Sequence, residues 1–183
     1  MMQRYELRLS GSGGQGLILA GKILAEAVAI YDGRNAVQTQ SYGPEARGGA
    51  SKAEVVISDG DIDYPKAISL DVLLALTQES CEKYIGDLKK DGILVVDSGM
   101  VQSPPGGEYR LFPMPITEIA RTRVGKIVVT NIVALGILAR ICGVVTRDAM
   151  QQAILARVPK GTEEVNMKAF EEGWNAAEEL LGR

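Results

Sequence analysis

Histidine is absent from this 183-residue chain. Without an imidazole there is no Ser-His-Asp triad and no His-based acid–base pair. Cysteine occurs only twice, at Cys81 and Cys142. Two isolated thiols make no disulfide framework and point to a reducing compartment. They are also too few for a four-cysteine iron–sulfur or zinc site, so no metal site is expected within the chain. No apolar run reaches the ~18 uninterrupted residues that mark a membrane span. The N-terminus lacks the basic, apolar and small-residue succession of a signal peptide. The expected location is the cytoplasm, with no membrane partner. Net charge is −3, too near neutral to draw the chain to nucleic acid by bulk attraction.

Apolar residues make up 46% and charged residues 23%, the range of a globular protein. The chain is long enough for one well-cored domain, and no repeat or linker divides it. Residues 1–183 are therefore expected to form a single module. Charge is unevenly spread. Arg110 to Lys160 carries eight basic residues against Glu118 and Asp148, whereas the tail from Gly161 carries six acids against Lys168 and Arg183. Solvated helix faces account for this, and a basic surface for a phosphorylated cofactor or acidic partner is the sharper alternative.

Alternation predicts strands at Tyr5–Ser10, Asn35–Gln40, Ser51–Ser58, Val72–Leu76 and Ile93–Asp97, with an edge strand over Tyr109–Phe112. The strand from Ser51 follows a short connection without a helix, which favours an antiparallel return. Apolar periodicity predicts helices over Gln15–Tyr31, Gln78–Leu88, Ile116–Arg123, Ile132–Cys142 and Arg147–Val158, with a last one after Thr162. Gly33 is expected to end the first helix, and Lys89-Lys90 to close the second against its dipole. Asn131, Thr146 and Thr162 read as N-caps. Met167, Phe170, Trp174, Ala177 and Leu181 share one face of the last helix, with core packing the expected use of Trp174. The fold class is α/β: a single-domain sandwich, mostly parallel sheet with some mixed strand direction, helices on both faces.

Two glycine stretches stand out. Gly11-Ser12-Gly13-Gly14-Gln15-Gly16 lies between the first strand and the first helix. Glycine lets backbone approach a neighbour closely, and the unpaired N–H groups of a helix start favour an anion. The stretch matches the dinucleotide pattern G-x-G-x-x-G. An NAD site also needs an acid at the end of the second strand, and that strand ends Gln38-Thr39-Gln40. No Gly-Lys-Ser/Thr follows, so it is not a P-loop either. A tight turn with close helix–sheet packing remains an equal reading. Ser41-Tyr42-Gly43-Pro44-Glu45-Ala46-Arg47-Gly48-Gly49 is the second stretch. Pro44 stiffens it, Arg47 offers a planar fork for phosphate or carboxylate, and Glu45 either orients Arg47 or meets a partner's cation. In a parallel sheet both stretches fall at the carboxyl edge, where such folds bind ligands. The candidate binding residues are Gly11, Gly13, Gly14, Gln15, Gly16, Ser41, Tyr42, Gly43, Glu45, Arg47, Gly48 and Gly49; no catalytic residue is identifiable.

These two stretches, with Thr-Asn-Ile-Val-Ala-Leu-Gly at 130–136, resemble the gamma subunit of 2-oxoacid:ferredoxin oxidoreductases. The likeness runs in order through nearly the whole chain and is strongest to the 2-oxoglutarate type. The resemblance implies one subunit of an enzyme that decarboxylates a 2-oxoacid, passes two electrons to ferredoxin and transfers the acyl group to coenzyme A. It implies thiamine diphosphate, Mg2+, an iron–sulfur cluster and coenzyme A for the complex, and alpha, beta and ferredoxin-like delta subunits as partners. It implies no cofactor held by this chain alone. In agreement, the chain has no Gly-Asp-Gly…Asn-Asn thiamine pattern, since no paired asparagines follow Gly60-Asp61. The competing expectation is a stand-alone nucleotide-binding module built on the first glycine stretch.

Overall fold

The computed structural model describes residues 4–41 and 49–182. Among them are six strands and six α-helices. In chain order these are β1 (Tyr5–Ser12), α1 (Leu17–Glu26), β2 (Asn35–Gln40), β3 (Ala50–Ser58), β4 (Leu70–Ala75) and α2 (Gln78–Tyr84). There follow β5 (Leu88–Asp97), β6 (Arg110–Met114), α3 (Ile116–Ile119), α4 (Thr130–Cys142), α5 (Arg147–Arg157) and α6 (Glu163–Leu181). The strands form one sheet in the order β2-β3-β1-β4-β5-β6.

β1, β4, β5 and β6 run parallel, while β3 is antiparallel to both β1 and β2. The reversal has the cause read from the sequence: the β2–β3 connection is too short for a crossover helix. The period of two splits β1 into Leu7 and Leu9 on one face and Glu6, Arg8 and Ser10 on the other. The Leu7 face packs against α1, α4, α5 and α6 around Phe170, Ile132 and Met150. The opposite face packs Val56, Leu73 and Leu94 against Cys81 and Tyr84 of α2. Cover on both faces explains the almost unbroken apolar runs of β4 and β5. The expected mixed α/β sheet with helices on both faces is the fold observed.

Several boundaries differ from the sequence reading. Gly11 and Ser12 belong to β1, paired with Ser51 and Ala50 of β3, and α1 begins at Leu17. Lys89 and Lys90 do not close a helix. They lie in β5, where Leu70 and Val72 of β4 pair with Leu88 and Ile93, so residues 89–92 bulge out. Asp91 takes φ 63° there, a conformation an aspartate tolerates better than most residues. Asn131 is not an N-cap either; Val129 holds that position. Thr146 does cap α5 by accepting from Ala149 N. Thr162 sits at the start of α6 but its hydroxyl donates to Pro159 O, leaving no side-chain cap bond. Trp174 packs at the edge of the main core, 6.1 Å from the Phe170 ring, as expected. Leu181 is exposed at the helix end.

Buried Glu6 ties β1 to the segment ahead of β4. Its carboxylate accepts from Ile68 N at 2.6 Å, Ser69 N at 2.8 Å and Arg4 Nε at 2.5 Å. Burial alone would raise its pKa, but these donors outweigh burial and hold it below the ordinary carboxyl value. A depressed folded pKa adds stability above the unfolded value, near ~4.3, and that stability is lost as pH falls through the folded value. Glu6→Gln should therefore be less stable than wild type at neutral pH, with the gap narrowing in acid. Urea unfolding at two pH values checks this; a gap that widens in acid contradicts it.

Candidate functional site

β1 and the four strands that run with it end at one edge, and β3 enters from it. The first glycine loop lies there. So do the flanks of the second stretch, because Ser41 N donates to Lys52 O at 3.4 Å and Gly49 leads directly into β3. Ser12 stands opposite Ala50. The two glycine stretches thus leave the sheet side by side. Tyr42, Gly43, Pro44, Glu45, Ala46, Arg47 and Gly48 lie outside the described residues, and the roles read for Glu45 and Arg47 rest on the sequence.

The first loop is held by its own glutamine. Gln15 Oε1 accepts from Ser12 N at 2.7 Å, closing the turn. Gly14 and Gly16 take φ of 85° and 73°, left-handed values that strain any side chain. Gly14 has open space where a Cβ would stand, so backbone geometry alone demands glycine there. At Gly16 a Cβ would meet Asn131 Nδ2 at 2.5 Å. The Asn131 amide donates to Gly16 O at 3.0 Å, bridging residues 115 apart in sequence. Its Oδ1 accepts from Ile132 N. This is the use of Asn131 that a capping argument misses: it braces the glycine loop against the start of α4. All three sequence stretches singled out above therefore converge, insofar as they are described.

A second brace was not foreseen. Asp97, fully buried at the end of β5, accepts from Thr117 N at 3.0 Å, from the Thr117 hydroxyl and from Gly99 N at 3.2 Å. It fixes the 98–101 turn and the start of α3. The only signal in the sequence is an acid ending an apolar strand. On the far side of the sheet, buried Arg8 donates to buried Glu54 and to half-exposed Asp87, an ion cluster equally illegible from spacing.

Among the described residues the edge carries little reactive chemistry. Burial pushes the Cys81 thiol up to about 11 and the Cys142 thiol up to about 12, so neither is an activated nucleophile. They occupy opposite sides of the sheet, Cys81 on the buried face of α2 and Cys142 at the end of α4. Among the described residues no three His, Cys, Asp or Glu side chains cluster to hold a metal. No described helix is long and apolar enough to cross a membrane. What the edge does offer is backbone, amides and apolar surface: Gly14, Gln15, Met100, Thr117, Ile127 and Thr130 line a cavity of about 430 Å³.

The chain matches the family described as pyruvate ferredoxin/flavodoxin oxidoreductase over residues 6–176. It is 51% identical to the 2-oxoglutarate synthase subunit KorC of Methanocaldococcus jannaschii, covering 97% of this chain and 96% of that one. Identity to the protein of the same name from Methanothermobacter thermautotrophicus is 49%, over 93% of each chain. The crystal structure of a keto/oxoacid ferredoxin oxidoreductase gamma subunit from Geobacter sulfurreducens superimposes with a TM-score of 0.90 at 53% identity, covering 96% of this chain and 97% of that one. With the family match spanning most of its length and relatives near one half identical, this chain belongs to the pyruvate ferredoxin/flavodoxin oxidoreductase family.

Proposed function

We propose that this chain is the gamma subunit of a 2-oxoglutarate:ferredoxin oxidoreductase. The observation that carries this reading is identity near one half, end to end, with 2-oxoglutarate synthase subunits of almost equal length. The complex decarboxylates the 2-oxoacid, forms the acyl-coenzyme A and CO2, and passes two electrons to ferredoxin in the cytoplasm. Alpha, beta and ferredoxin-like delta chains complete it. Thiamine diphosphate with Mg2+, and the iron–sulfur cluster, belong to those partners. The donor sets here do not fit them: the two thiols lie on opposite sides of the sheet, and no carboxylate group of three converges among the described residues. The role left to this chain is to wall the reaction site with its carboxyl edge. Gly11–Gly16 and the Ser41–Gly49 stretch, with Arg47 as its cation for a coenzyme A phosphate or an interface carboxylate, form that wall.

A stand-alone nucleotide-binding module is the weaker reading. β2 ends in Gln38-Thr39-Gln40 with no acid for a ribose, and the loop glycines serve the turn and the Asn131 contact. The test is co-purification of the four chains followed by dye reduction dependent on 2-oxoglutarate and coenzyme A. The complete complex should reduce a viologen, and this chain alone should be colourless and inactive. Equal activity from a complex lacking this chain, or a brown preparation of the chain alone, overturns the proposal.

A further inference from the structure

Beyond the glycine loop lies a cavity of about 310 Å³, walled by Leu19, Val129, Val158 and Val165 with the amides of Asn131 and Asn166. Gly14 and Val128 line both this cavity and the one beside Met100. Val128 is thus a ridge between two hollows. It is 77% exposed, its neighbour Ile127 60% and Met100 47%. Large aliphatics this open, set between apolar hollows, mark an interaction site rather than ordinary surface.

Two polar features select the occupant. Asn166 is only 7% exposed. Its amide nitrogen donates to Thr162 O at 2.9 Å and Thr162 Oγ1 at 3.1 Å. A carbonyl only accepts, so the amide nitrogen is turned to Thr162 and the amide oxygen of this cavity-lining residue stays an open acceptor. No described residue donates to it. Lys126, at the rim, has no acidic partner among the described residues, and no acid lines either hollow. The face therefore asks for an apolar group, a hydrogen-bond donor and a negative charge together.

We propose that this face seats a segment of another subunit of the complex. An apolar anchor side chain enters the smaller cavity, a backbone N–H meets Asn166 Oδ1, and an Asp or Glu meets Lys126. A cavity near 310 Å³ is at the floor of the ~300–1,000 Å³ range for small-molecule sites, while single apolar anchors in such pockets dominate protein interfaces. A polypeptide also covers the Val128 ridge outside the cavity, which a molecule held inside it does not. This inference rests on the subunit reading above and deepens it by naming the docking face and the chemistry of its partner.

The experiment uses the co-expressed complex with Val128→Asp, Lys126→Glu and a Val128→Leu control. Retention of this chain on an affinity-tagged partner subunit is measured against salt. Val128→Asp should weaken association about tenfold or more, Val128→Leu should not, and Lys126→Glu should weaken it most at low salt. Melting of the isolated variants should match wild type, since both side chains are exposed. Unaltered association with a raised KM for coenzyme A would make the cavity a cofactor site and overturn the docking proposal. Self-association of the isolated wild-type chain that Val128→Asp abolishes, with the complex intact, would make the occupant a second copy and also overturn it. Failure of the wild-type chain to join the complex at all would remove both readings. Equal assembly of wild type and Val128→Asp removes the docking face alone.

Discussion

Gly136→Ala should destabilise the isolated chain by about 3 kcal/mol, the upper range for overpacking a close contact. Gly136 lies in α4 where it crosses α6. A Cβ there would overlap Phe170 O and stand 2.8 Å from Trp174 N. Those are backbone atoms of a 19-residue helix, so relief requires moving a helix rather than a side chain. Gly173 makes the reciprocal approach, with its Cβ position against Val133 O. The two glycines let α4 and α6 touch backbone to backbone and bury Phe170 completely. For a chain of this size the loss corresponds to a melting point lower by about 6–12 °C. Trp174 is the only tryptophan and sits at this contact, so its fluorescence reports unfolding directly. Gly60→Ala is the control. It has nothing within 4 Å and no left-handed φ, so it should change stability by less than about 0.5 kcal/mol. Equal, small effects at Gly136 and Gly60 would show that the helices separate cheaply.

The second large effect is expected at Arg8. Its guanidinium is 3% exposed and donates to Glu54 Oε2 at 2.8 and 3.0 Å and to Asp87 Oδ2 at 2.5 Å. It also lies 4.9 Å from the centre of the Tyr84 ring. Burial works against its charge, but the hydrogen bonds to Asp87 and Glu54 prevail and raise its pKa above the ordinary value. Removing one partner of such a pair strands the other in a low-dielectric interior, at a cost of about 3–5 kcal/mol. Arg8→Ala should fall at the lower end, because Lys52 Nζ remains 3.5 Å from Glu54. Replacing both members is different. Arg8→Met with Glu54→Leu removes the desolvation penalty along with the attraction, and should lie within about 1 kcal/mol of wild type. Urea unfolding of the two single variants and the double variant measures the coupling. Additive losses, with the double variant worst, would show that the side chains act separately and not as a pair.

Much of the architecture was legible because it follows from local rules. β2 was read to the residue, and β3 and β6 within a few, because alternation and turn residues act over short windows. The antiparallel β3 followed from a connection too short to cross over. Thr146 was recognisable as a cap because its partner, Ala149, is three residues away. Thr162 was placed correctly at the start of α6, but its hydroxyl answers to Pro159 O and the Asn166 amide instead of capping the helix. Lys89 and Lys90 looked like a helix end by composition. The pull of Ile93 into register with Val72 decided otherwise and left the intervening residues as a bulge.

The sequence by itself determined the α/β class, the glycine loop at the carboxyl edge and the family. These depend on residue identity and short spacing, which chain order preserves. Tertiary structure alone decided that Asn131 braces Gly16, that Arg8 is neutralised by Glu54 and Asp87, and that Gly136 meets Phe170 and Trp174. It also decided that Val128 stands on the surface between two cavities although its neighbour Val129 is buried. Each of these joins elements far apart in the chain, or depends on which way a short turn faces. A side chain's partner is set by where helices and strands come to rest, and periodicity carries no record of that.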